Sequence, residues 1–108
     1  MKKLTIRLHQ DQFRDLCIVF YRSRRLAPHV GTYETRGVIS LYDQITHRLT
    51  MRYNNCKPSN GNTMRSFAFY VSDWEFILLS IAKCKGVFEI NAYTQTTINT
   101  ILEKLCTI

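Results

Sequence analysis

Arg14, Arg22 and Arg25 fall at i, i+8 and i+11, a spacing that puts them along one side of a helix. At about 1.5 Å per residue, the first and last stand about 16 Å apart. A guanidinium offers a planar fork of donors that matches phosphate oxygens, so such a row suits a nucleic-acid backbone. Against that stands a simpler role. Cations near a helix C-terminus are favoured by the macrodipole with no ligand at all. Asp11 and Asp15 also border the row and weaken its field. Arg24 turns toward the apolar face of the same helix and is assigned to the helix end, which Pro28 forces by Ala27.

A second basic set follows, with Arg36, Arg48 and Arg52 beside His47, Lys57 and Arg65. It merges with the first only if the two helices pack side by side. Tyr33, in the connector after Pro28, is the tyrosine best placed to stack on a base. The expected contacts are therefore Arg14, Arg22, Arg25, Arg36, Arg48 and Arg52 on phosphate, without strong sequence choice, and Tyr33 stacked on a base. DNA and RNA are not distinguished.

Enzyme signatures are missing from the sequence. It has no Gly-rich phosphate loop, no GxSxG and no HExxH. Glu34 and Glu89 with His29 or His47 are the remote alternative, an acid/base set of the kind a metal-independent ribonuclease uses. Cysteines 17, 56, 84 and 106 lie far apart, without the paired spacing of a zinc site. No metal, cofactor or catalytic residue is assigned.

The charge is uneven. The chain carries +7 overall, yet residues 1–65 hold twelve Lys/Arg and four Asp/Glu, and residues 66–108 hold three and four. A basic half suggests a polyanionic partner. The apolar fraction, 45%, is that of an ordinary globular chain, and 108 residues suggest one domain. No run approaches the ~20 apolar residues of a membrane span. A cytoplasmic, unprocessed chain is expected.

The elements that must carry these residues read as follows. Leu4, Ile6 and Leu8 alternate with polar residues, a half-buried strand. A helix from Gln10 or Asp11 buries Phe13, Leu16, Cys17 and Phe20. A second, from about Thr35 to Tyr53, has a stripe of Val38, Leu41, Tyr42, Ile45, Leu49 and Tyr53. Thr63 to Val71 is a strand. Its Phe67-Ala68-Phe69-Tyr70 has the aromatic density of RNA-binding sheets but lacks their Gly and basic pattern. Ser72 to Glu75 reads as a capping box opening a third helix, which ends near Lys85 and Gly86. Val87 to Tyr93 reads as a third strand, and a last helix starts between Thr94 and Thr97. The expected fold is α+β, in the order β-α-α-β-α-β-α, with a small three-stranded mixed sheet. No internal repeat is visible.

The third helix is apolar nearly all round, which means burial between layers or a partner surface. Phe76 and Leu79 are its candidate interface residues. They define the main alternative reading, a homodimer or other homo-oligomeric module with no nucleic-acid role.

Overall fold

The computed structural model describes residues 2–25, 33–56, 63–84, 86 and 89–108, with no side-chain description for 33–35. Its elements are β1 (Lys3–His9), α1 (Gln10–Arg25), α2 (Tyr33–Asn54), β2 (Met64–Tyr70), α3 (Val71–Lys83) and α4 (Ala92–Cys106). The class is α+β, but the expected third strand is wrong. Among the described residues the sheet has two strands, paired antiparallel from Lys3↔Tyr70 to His9↔Met64. The parallel crossover implied by a third strand goes with it.

The reason lies at Asn91. Its side chain accepts the Thr94 N–H at 2.8 Å and caps α4, drawing Ala92 and Tyr93 into the helix. Glu89 and Ile90 lie outside any strand, and Val87 and Phe88 lie outside the described residues. Local capping outweighs the β propensity of the segment.

The capping box at Ser72 also fails. α3 starts at Val71, its N-cap is Tyr70, and no side chain caps it. The Val71 N–H instead donates to Lys2 O across the sheet at 3.0 Å. The start of α1 has the same device, with the Gln10 N–H on Thr63 O at 3.3 Å. Each helix thus begins while its first amide is still held by the opposite strand.

That correspondence extends through both halves. Each β1 residue has a counterpart 61 positions on, Lys3 at Met64 and His9 at Tyr70, and the two strands share one burial pattern. The next helix begins at the following residue in each case. Buried positions match through the first helix of each half: Phe13 with Trp74, Leu16 with Ile77, Cys17 with Leu78, Phe20 with Ile81. Ile6 pairs in the sheet with Phe67, its own counterpart. A pseudo-twofold axis therefore passes between Ile6 and Phe67. In element order the chain runs as two successive strand–helix–helix units, and the match in position and burial covers the strand and first helix of each.

One face of the sheet is the floor of the core. Ile6, Leu8, Phe67 and Phe69 are buried on it. Phe13 of α1 stacks on Phe67 with centroids 4.0 Å apart. Trp74 of α3 meets Phe69 edge-on at 5.2 Å and donates its indole N–H to Leu4 O at 2.9 Å. α1 packs against all three other helices. It crosses α2 antiparallel, with Phe20 stacked on Tyr42, Tyr21 Oη 2.9 Å from Thr50 Oγ1, and Arg24 3.2 Å from Asp43. The α2 stripe is buried only in part. Tyr42, Ile45 and Leu49 enter the core, whereas Val38 and Leu41 remain exposed. The described residues contain no helix long and apolar enough to cross a membrane.

Candidate nucleic-acid interface

α1 and α2 do lie side by side, yet the two arginine sets do not merge into one free patch. Arg14 is held by Asp11 at 3.5 Å and Asp15 at 3.4 Å. Arg48 forks onto the buried Asp73, with Nη2 2.7 Å from Oδ1 and Nε 3.0 Å from Oδ2. Arg52 lies over the Phe67 ring at 4.9 Å and donates to Ser66 O at 2.9 Å and to Cys56 Sγ at 3.1 Å. Arg24 reaches Asp43, so it ties α1 to α2. Arg24, Arg48 and Arg52 thus join separate elements of the fold, while Arg14 is paired within α1.

Arg22, Arg25 and Arg36 have no ion-pair partner among the described residues. Arg22 lines a cleft with Asp15, Glu89 and Asn91, between α1 and the start of α4. Arg36 lines an open groove along α2 with Asp43, Gln44 and His47. Tyr33 opens α2, and its side chain is outside the described set, as are the side chain of Glu34 and all of His29. Glu89 and His47 face different clefts. Among the described residues no three His, Cys, Asp or Glu gather as metal ligands. Phe76 is partly buried against Tyr42, ring to ring at 4.8 Å, while Leu79 is 56% exposed.

The surface that the arginine spacing does not indicate is the second face of the sheet. In this ladder Lys2, Leu4, Ile6, Leu8 and Gln10 oppose their partners as hydrogen-bonded pairs, which follows from Val71 N on Lys2 O and Gln10 N on Thr63 O. The alternate residues point outward. Lys3, Thr5 and Arg7 stand on β1, and Met64, Ser66 and Ala68 on β2, all exposed. His9 and the half-buried Tyr70 close the two ends. Lys3 Nζ sits 5.4 Å from the Tyr70 ring centroid. Neither strand contains a carboxylate. The four aspartates are spent elsewhere, Asp11 and Asp15 on Arg14, Asp43 on Arg24 and Asp73 on Arg48. The result is a narrow ribbon whose outer face carries its cations along β1, Lys3 across from Tyr70 at one end and Arg7 across from Ser66 toward the other, beside the small side chains Ser66 and Ala68 of β2. The sequence signal was present: the polar positions alternating with Leu4, Ile6 and Leu8 are this face.

Comparison with family models, curated proteins and solved structures finds no match to the chain.

Proposed function

We infer that the protein binds double-stranded DNA by laying the β1–β2 ribbon in the major groove. The observation that carries this is the exposed, acid-free outer face of a two-stranded antiparallel sheet whose other face is packed against helices. The B-DNA major groove, about 12 Å wide, admits a two-stranded ribbon as readily as a helix. Strands lie about 4.8 Å apart, so two of them with their side chains fit that width. Arg7 and Lys3 are donors of the type that meet guanine, and Thr5 and Ser66 hydroxyls pair with several base edges. Arg22, Arg25 and Arg36 add to the positive field that draws the duplex in.

Fluorescence anisotropy with a labelled duplex of about 20 base pairs tests this, since a groove reader and its flanking phosphate contacts fit within two helical turns. The expected results are binding whose log affinity falls linearly with log salt, and a marked loss in a Lys3→Gln/Arg7→Gln double variant. Undiminished duplex binding by that variant removes the ribbon from the reading. A wild-type protein that binds no duplex at low salt removes the function.

A second reading rests on the exposed apolar side chains of α2 and α3. Val38 is 40% and Leu41 37% exposed, beside the 56% of Leu79. Asp73 lies against Arg48 and Phe76 against Tyr42, so these exposed side chains stand on two helices that touch. Exposed apolar side chains of this kind suit contact with a second copy. Light scattering after size exclusion distinguishes the cases: a dimer that Leu79→Lys converts to monomer supports this contact, and a wild-type monomer dismisses it.

A further inference from the structure

We propose that the DNA target is a non-palindromic site read by a single chain, with a guanine-bearing base pair under Arg7 in one half and no matching arginine contact in the other. This rests on the ribbon reading above.

Both strands come from one chain, and the pseudo-twofold axis between Ile6 and Phe67 relates them. A ribbon of two identical strands would present one set of side chains twice and match a site with twofold symmetry. This ribbon keeps the symmetry in its backbone and discards it in its outer side chains. Lys3 faces out where its counterpart is Met64. Thr5 corresponds to Ser66, and Arg7 to Ala68. Of the inward positions, Ile6 and Leu8 and their counterparts Phe67 and Phe69 are buried and apolar, whereas Leu4 corresponds to Arg65.

The chemistry of the two halves therefore differs at two of three outward positions. On β1, Arg7 forks onto O6 and N7 of guanine, and Lys3 reaches the same acceptors. On β2, Ala68 and Met64 have no donor to offer. Their methyl groups suit the thymine C5-methyl, which stands in the major groove beside the O4 acceptor. The central hydroxyls of Thr5 and Ser66 are alike, so the middle of the site is the least asymmetric. Lys3 stands across from Tyr70 at one end of the ribbon and Arg7 across from Ser66 toward the other, so each half of the site meets one cation and only one of the two is a forked guanidinium.

Selection of wild-type protein on a duplex library with a randomised core, followed by sequencing, tests the proposal. The expected motif is asymmetric, with its strongest guanine preference in one half, and titration on the selected duplex gives one chain per site. Arg7→Ala should relax preference at a base pair in the guanine half, lowering discrimination there by about tenfold, and leave the other half unchanged. Ala68→Arg should move the selected motif toward a symmetric one with guanine in both halves. Both positions are exposed, and the circular dichroism spectrum checks that each variant is folded. A palindromic motif, two chains per site, or duplex binding without preference overturns the proposal while leaving the ribbon reading standing. Absence of any duplex binding by the wild type overturns both.

Discussion

Arg48 and Asp73 meet fork to fork, with two N–H···O bonds of 2.7 and 3.0 Å joining α2 to the first turn of α3. The aspartate side chain is nearly buried and the arginine about a third exposed. A buried carboxylate needs its donors, because losing them leaves its desolvation uncompensated. Arg48→Ala is therefore expected to destabilise the fold by about 1.5–3 kcal/mol, the range for hydrogen bonds to charged groups. Arg48→Lys should recover only part of this, since an ammonium cannot make the parallel pair. Urea titration followed by Trp74 fluorescence measures both, with the slope unchanged if only stability moves.

Asn91→Ala should cost about 1 kcal/mol, the usual loss for an N-cap whose side chain is bonded. Ser72→Ala should be close to neutral, because the first amide of α3 is already bonded to Lys2 O. A larger loss at Ser72 than at Asn91 would reverse the assignment of the two helix starts.

Trp74 both fills the core and donates to Leu4 O. Trp74→Phe keeps an aromatic ring against Phe69 but leaves that acceptor one partner short and opens space. A loss of about 2 kcal/mol is expected, combining a hydrogen bond of about 1 kcal/mol with a small cavity. Thermal unfolding by circular dichroism reads it without needing the tryptophan signal.

Burial pushes the Cys17 thiol up to about 12, with a Tyr21 hydrogen bond acting the other way. The folded chain therefore keeps this proton after the unfolded chain has lost it. Stability from Cys17 is complete below the ordinary thiol value of 9.0 and is lost as pH rises toward about 12. Cys17→Ala should flatten the alkaline fall in stability by up to about 1.4 kcal/mol per pH unit. Under native conditions a thiol reagent should label Cys56 and Cys106 quickly, and Cys17 and Cys84, which are buried, only slowly.

Much of the fold was legible because period and capping chemistry are local. The alternation of Leu4, Ile6 and Leu8 and the 3.6-residue spacing of Phe13, Leu16, Cys17 and Phe20 give β1 and α1 directly. Val87 to Tyr93 misled because its residue types favour strand, while the deciding interaction is one side-chain bond at Asn91. The arginines were visible as a set, but not their partners. Only the crossing of α2 with α3 brings Arg48 to Asp73, and only the sheet brings Arg52 to Ser66 O. The outer face of the ribbon needs both strands, which are separated in sequence by two helices. The pseudo-symmetry hides for a similar reason. Phe13 and Trp74, or Phe20 and Ile81, are equivalent in burial and not in identity.

Joining β1 and β2 through one chain also makes the ribbon independent of dilution. Strands contributed by separate molecules would part at low concentration, with folding and assembly lost together. Here the pairing of Ile6 with Phe67 is unimolecular. Its melting temperature should not move with protein concentration, and a surface built on it exists in full even when only a few copies of the chain are present.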